Sequence, residues 1–395
     1  MRLLLVVDVF APVRTSAAVQ MRDLAATLIR LEHECVVVTP DEKLPQLFAL
    51  QSENSIPVLR IRAGPLKRIN LMRRAINEMR LSGRMWAGYR RSPVASRVWD
   101  AVVFYSPTIF FGRFVARLKV LHGCPAYLVL RDVFPDWAVD LGLMRKGPHY
   151  WLFKAYAQYQ YSVADQIGIE SPSNRRYFDA RDDRVDVLPN WIDAKTDAPR
   201  PFRPPALAGK KVLVYAGNIG VAQDMDNVLR LARSLLPRAD CRILLVGDGT
   251  DRGRVVDEVA RQGLENVLLL PEIDPHELRG LLRGCDIGLI SLDRRLRSHN
   301  IPGKLLSYLE AGLPVLASIN RGSDLKAVID DAGAGAVVWN GDDRALLEAA
   351  YRLLDGDEQR SRMANAARTL CRGMFSSDAV AQKLVGRLKE TSAGD

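Results

Sequence analysis

Asn300-Ile301-Pro302-Gly303-Lys304-Leu305-Leu306-Ser307-Tyr308-Leu309-Glu310-Ala311-Gly312-Leu313-Pro314 reads as a short helix with chemistry at both ends. Pro302 suits the first helical position, where a missing N–H costs nothing, and Gly312 with Pro314 supplies the stop. Gly303 and Lys304 then fall in the first turn. There the free N–H groups, the positive end of the helix dipole and the ammonium make a seat for phosphate. Glu310 comes seven residues after Gly303, so it lies about two turns, roughly 10 Å, along the same face. A nucleoside diphosphate spans that distance, with its pyrophosphate at the N-terminus and its ribose hydroxyls on Glu310. The competing reading is an ordinary buried helix, because Leu305, Leu306 and Leu309 form an apolar stripe.

Around this run, strands and helices alternate. Residues 212–215 read as a strand leading into Gly217-Asn218-Ile219-Gly220, residues 243–246 into Gly247-Asp248-Gly249, and residues 267–270 into Pro271-Glu272-Ile273. Residues 287–291 precede the loop into the helix and 315–318 follow it. Such alternation predicts a doubly wound parallel sheet, with its ligand at the carboxyl ends of the strands. Gly217, Asn218, Gln223, Gly247, Ile273, Gly303, Lys304, Leu305 and Glu310 are therefore the candidate binding residues of this half.

The first half has the same rhythm. Residues 2–9 form an apolar run, a loop with Arg14, Thr15 and Ser16 follows, and an amphipathic pattern through Leu24, Leu28 and Leu31 leads to a β-branched run at 35–39. This is a βαβ opening, and Ser16 stands where backbone N–H groups approach a ligand. Residues 100–105, 125–130, 166–170 and 185–188 read as further strands, with a helix over 149–163. Asp132 follows the strand at 125–130 and so faces the ligand edge, either as a chemical group or in a structural ion pair with Arg131. The run Pro199-Arg200-Pro201-Phe202-Arg203-Pro204-Pro205 reads as a stiff linker between domains at 1–198 and 206–376. A helical pattern at 377–389 closes the chain.

Composition narrows the class. A chain of 395 residues with 48% hydrophobic and 26% charged residues is globular and long enough for two domains. Asp8 breaks the N-terminal apolar run too early for a signal peptide, and no run reaches the length of a membrane span. Five scattered cysteines without metal spacing suggest reduced thiols in a cytoplasmic protein. The net charge of +10 is concentrated at 66–99, where nine lysines and arginines face Glu78 alone. Leu66, Ile69, Met72, Ile76, Met79, Met85, Trp86 and Tyr89 interleave with them. An anionic membrane surface is the first reading, a solvated helix face the second and nucleic acid the third, because no nucleic-acid module accompanies the charge.

Pro189-Asn190, Gly217-Asn218-Ile219-Gly220-x-Ala222-Gln223, Gly247-Asp248-Gly249, Asp286, Ile301-Pro302-Gly303-Lys304 and Glu310-Ala311-Gly312-Leu313-Pro314 together resemble family 4 glycosyltransferases of GT-B type. Arg131-Asp132 with Pro135-Asp136-Trp137 is similar to the bacterial O-antigen and capsule branch of the L-fucosamine transferase type. The resemblance implies two Rossmann-like α/β domains facing across a cleft. The first would hold the acceptor and the second a nucleotide sugar, with the helix at 377–395 packing back on the first. It also implies retention of anomeric configuration, with no metal and no other cofactor. Three departures stand out. Pro302 replaces a carboxylate of the family motif, Asn218 and Gln223 replace its phosphate-binding Arg and Lys, and Thr15-Ser16-Ala17 replaces a glycine pair. Asp224-Met225-Asp226 has the form of a metal motif but reads as helix-start capping.

The expected activity is transfer from a UDP-sugar to a lipid-linked saccharide at the cytoplasmic face of the membrane, in polysaccharide assembly. Lys304 would stabilise the leaving diphosphate, and Asp132 would steer or deprotonate the acceptor hydroxyl. Pro302 cannot accept a hydrogen bond from a sugar hydroxyl, which favours a 6-deoxy or N-acetylamino hexose, with Arg294, Arg297 and His299 near its substituents. Two rivals remain: a UDP-sugar 2-epimerase of the same fold, and a non-catalytic subunit that binds a nucleotide sugar.

Overall fold

The computed structural model describes residues 1–13, 15–65, 70–140, 142–193, 199–296 and 301–393. These form two compact units, Met1–Trp191 with Ser377–Asp395, and Ile192–Ser376. The first runs β1 (Arg2–Val6), α1 (Ser16–Arg30), β2 (Glu34–Asp41), β3 (Phe48–Glu53), β4 (Ile56–Arg62), α2 (Leu71–Arg91), β5 (Ala101–Tyr105), α3 (Gly112–His122), β6 (Ala126–Leu130), α4 (Asp136–Asp140), α5 (Pro148–Val163), β7 (Gln166–Ile169) and β8 (Val185–Val187). The second runs β9 (Lys211–Ala216), α6 (Met225–Leu235), β10 (Cys241–Val246), α7 (Arg252–Arg261), β11 (Val267–Leu270), α8 (Pro275–Arg283), β12 (Ile287–Ser291), α9 (Lys304–Ala311), β13 (Val315–Ile319), α10 (Leu325–Ala332), β14 (Gly335–Trp339), α11 (Asp343–Asp355) and α12 (Asp357–Leu370). Helix α13 (Ser377–Ala393) returns to the first unit.

The first sheet has the order β3-β4-β2-β1-β5-β6-β7-β8 and the second β11-β10-β9-β12-β13-β14. All pairings are parallel except that of edge strand β3 with β4. Parallel strands are buried on both faces, which is why their sequences are continuous apolar runs. In β1, Leu4 and Val6 join the core beneath α2, α3 and α5, while Leu3 and Leu5 join the core beneath α1 and α13. In β9, Val212 and Val214 pack toward α8 and α9, while Leu213 and Tyr215 pack toward α6 and α11. All five cysteines are free and buried within these layers.

Three sequence expectations change. Strands β3, β4 and β14 were not anticipated: β3 is polar and partly exposed, and β4 carries Pro57, Arg60 and Arg62 within its run. The boundary lies at Trp191 and Ile192, ahead of the proline-rich run at 199–205. That run is packed, because the Phe202 N–H donates to the Gly280 carbonyl at 3.2 Å and Arg203 donates to the Gly284 carbonyl and the Asp286 carboxylate. Finally, α9 begins at Lys304 with Gly303 as its N-cap, two residues later than Pro302 suggested. Of the basic stretch, residues 66–69 lie outside the described residues, as do Arg14, Arg297 and His299.

Helix α13 is fixed to α1 by a Thr27 to Ser377 hydroxyl hydrogen bond of 2.8 Å and an Arg30–Asp378 ion pair. Its apolar face, Val380, Ala381, Leu384, Val385 and Leu388, is buried. Replacing fully buried Leu384 by Ala should cost about 2 to 5 kcal/mol in urea denaturation. An unchanged midpoint would mean that α13 contributes nothing to the core.

Candidate functional site

From β9 the second sheet extends outward through β10 and β11, and the chain then returns to the other side of β9 as β12. Such a reversal opens a crevice between the diverging loops at the carboxyl ends. One hydroxyl ties α9 to both of these strands: Tyr308 accepts the Ala216 N–H at 2.8 Å and donates to the Leu289 carbonyl at 3.1 Å. Its ring occupies the space a side chain at Gly288 would need. Lys304 sits one turn earlier on the same helix face. Its ammonium lies 3.4 Å from the centre of the Tyr215 ring, and its Cε passes 3.7 Å from where a Cβ on Gly217 would lie. Its Nζ is buried without a hydrogen-bond partner among the described residues, and burial drives its pKa well below the ordinary lysine value. The aromatic face offsets part of that cost. An anion in the crevice would offset the rest.

The loops after β9 and β10 complete this edge. The Tyr215 hydroxyl donates to the Asn218 carbonyl at 2.6 Å, and Asn218 donates to Gln223 at 3.1 Å. Gly247 has φ 142°, and a Cβ there would collide with the Gly217 carbonyl, so the two loops lie backbone to backbone. Lys304, Gly217, Asn218, Gln223 and Gly247 thus come together as the sequence implied. Leu305 is core, and Ile273 packs against the same core at the end of β11.

Glu310 goes elsewhere. Six residues from Lys304 are about 600° of helix, which turns Glu310 some 120° away from the Lys304 face. Its Oε1 receives Arg279 at 2.8 Å and Arg283 at 3.2 Å, both from α8, and its side chain is 4% exposed. This carboxylate clamps α9 to α8 through Oε1, while its Oε2 is buried with no hydrogen-bond partner among the described residues. Ser307, three positions on from Lys304, is half-buried beside Tyr308 on that face. Asp224 does stand at the N-terminus of α6, but its side chain accepts from Asn340 at 2.8 Å and caps no N–H. Asp226 pairs with Arg254.

In the first unit the reversal lies between β1 and β5. Asp132, Glu170 and Ser106 end neighbouring strands on that side. Asp132 makes no ion pair with Arg131, whose buried guanidinium instead donates to the Leu188 and Pro189 carbonyls and lies over Trp191. Burial raises the pKa of Asp132 against the pull of Arg131. Glu170 is pushed up to about 7, mainly by burial, with Arg131 opposing and Asp132 adding to the rise. Asn190 donates to Glu170 at 2.5 Å, while the buried hydroxyls of Ser106 and Ser171 have no partner among the described residues. Ser16 is the exposed first residue of α1, with Thr15 as its cap.

Residues 15–191 match the glycosyl transferase 4-like domain and residues 210–356 the glycosyl transferases group 1 model. The chain belongs to the group 1 and 4-like glycosyltransferases. Among similar proteins, a probable glycosyltransferase, WbjE of Pseudomonas aeruginosa, is 27% identical over 56% of this chain and 57% of its own length. WcaI of Escherichia coli, a putative colanic acid biosynthesis glycosyl transferase, is 27% identical over 55% of this chain and 58% of its own. The chain thus spans little more than half the length of these curated relatives. HepE of Anabaena, solved in complex with UDP, superposes with a TM-score of 0.65 at 13% identity, over 99% of this chain and all of its own. The fold is GT-B, built of two Rossmann-like α/β units.

Sequence reasoning missed Tyr308, Tyr215 and Glu170. The spacing of Tyr308 from Lys304 was a usable signal for the first; Glu170 gave none, because its environment comes from Arg131 and Asp132 on a neighbouring strand.

Two stability measurements follow from these geometries. Lys304→Met should raise stability in urea denaturation, by on the order of 1 kcal/mol, because it removes a buried polar group with no hydrogen-bond partner among the described residues. Glu310→Ala should lower it by about 2 kcal/mol, since two guanidinium groups lose their counter-charge. The reverse ordering would refute both assignments.

Glu170 predicts a pH dependence. Its folded pKa lies above the unfolded value near 4.3, so the folded state holds the proton more tightly and this stabilisation is complete below that value. It is lost as pH rises toward about 7. Glu170→Gln should match wild type near pH 4 and exceed it at pH 8 by on the order of 2 kcal/mol. Parallel pH profiles would show that Glu170 titrates normally.

Proposed function

We propose that the protein is a retaining, metal-independent transferase that moves a sugar from a UDP-sugar to a lipid-linked saccharide in cell-surface polysaccharide assembly, peripheral to the cytoplasmic face of the membrane. The observation that carries this reading is the buried, unpartnered ammonium of Lys304 at the reversal of the second sheet. HepE, of the same fold, is solved with UDP, and WcaI is named for colanic acid biosynthesis.

In the reaction the anomeric C–O bond breaks and its electron pair goes to the departing β-phosphate oxygen. Negative charge grows there, next to Lys304 and the N-terminus of α9, where preorganised positive charge lowers the barrier. The acceptor oxygen bonds to the anomeric carbon on the face the diphosphate leaves, and its proton passes to the departing phosphate. Asp132 orients the acceptor hydroxyl, and the raised carboxyl of Glu170 beside it lowers the negative charge of that edge as pH falls below about 7.

Pro302 offers the sugar no acceptor, so a hydroxyl directed at it would lose water without a replacement partner. A 6-deoxy or N-acetylamino hexose loses less and is the donor class proposed. The test is UDP release across matched UDP-sugars, with and without membrane extract. Transfer that requires extract, is fastest with such a donor and falls at least a hundredfold in Lys304→Met is the expected result. UDP-glucose as the best donor overturns the sugar class. Donor turnover without acceptor indicates an epimerase, and binding without turnover a non-catalytic subunit.

A further inference from the structure

Helices α2, α3 and α5 lie side by side over one face of the first sheet, with α3 packed against both neighbours. Their outward faces differ from the rest of the unit in charge. Glu78 is the one acid in α2, and α3 and α5 contain none. Lys119 and Lys154 are neutralised by Asp165 and Asp136. Arg90, Arg113 and Arg117 have no ion-pair partner among the described residues. They line a groove of about 540 Å³ together with Trp86, Val120 and Tyr159. The guanidinium carbons of Arg90 and Arg117 each lie 5.6 Å from the centre of the Trp86 ring, which holds both cations at the groove.

The rim is apolar where water would favour polar groups. Val120, Leu121 and Tyr159, which line the groove, are 87%, 39% and 44% exposed. Unpaired arginines grip phosphate oxygens in a planar fork, and exposed aliphatic and aromatic side chains beside them gain by entering the boundary between headgroups and acyl chains. Nucleic acid would match the arginines and Trp86 but would leave Val120 and Leu121 in water.

We propose that the groove between α2 and α3 seats the phosphodiester of an anionic phospholipid, so that the protein docks on the bilayer through the α2–α3–α5 face and not through the basic run of α2 alone. The proposal rests on the reading of the acceptor as lipid-linked, for which a membrane-bound enzyme meets its substrate in the plane of the bilayer.

Sedimentation with vesicles of phosphatidylglycerol in phosphatidylcholine tests it, using the full chain, with pure phosphatidylcholine vesicles as the reference. Arg113 and Arg117 are exposed, so Arg113→Glu with Arg117→Glu spares the core. Wild type should bind the anionic vesicles with an affinity that falls with salt, the double variant at least tenfold more weakly, and Val120→Asp more weakly at any salt. UDP affinity should be the same in all three. Equal pelleting of wild type and the double variant overturns the groove as the lipid site. So does equal binding to uncharged vesicles, or release of the protein by a short oligonucleotide at concentrations that leave the vesicles saturating. If no UDP-sugar is turned over while vesicle binding still depends on Arg113 and Arg117, the transferase reading falls and the docking site stands.

Discussion

A single phenolic hydroxyl, that of Tyr308, sets the position of everything chemical in the second unit. It satisfies one backbone donor on β9 and one backbone acceptor on β12, the two strands between which the sheet reverses. Both partners are buried, so moving the helix would leave two polar backbone groups unpaired at a cost of about 1 to 3 kcal/mol each. That constraint fixes the helix, and the helix fixes Lys304 one turn away. The cost of holding an ammonium without a counter-charge is thus met by the fold, in advance of any ligand.

The second constraint is close approach of backbone. Gly217 against Gly247 and Ile219 against Gly249 leave no space for side chains, and the loops after β9 and β10 become one surface lined by main-chain groups. The first unit uses different means at its corresponding edge. There a buried guanidinium binds two carbonyls, and two carboxyl groups, crowded by burial, hold their protons more readily than free acids do.

Much of the fold was legible because parallel strands buried on both faces leave unbroken apolar runs, and most of these were placed within a residue or two. The strands that escaped notice, β3, β4 and β14, are edge or near-edge strands whose side chains do not need to be uniformly apolar. The meeting of Lys304, Gly217 and Gly247 was also legible, since each is tied to a turn with a local signature. The ion pairs of Glu310 were not legible, because its partners Arg279 and Arg283 lie about thirty residues away in sequence. The proline-rich run reads as a stiff linker between domains because nothing local announces that Phe202 packs on Gly280 and Gly284.

The return of α13 to the first unit has a consequence for biosynthesis. Residues 380–388 complete the core beneath α1, yet they are made only after the whole of the second unit. During translation the second unit can close while the first still shows Leu24, Leu28 and their neighbours to water. The nascent chain therefore folds out of order, with an apolar groove held open until late, and that interval is when chaperone capture or aggregation competes with docking of the helix.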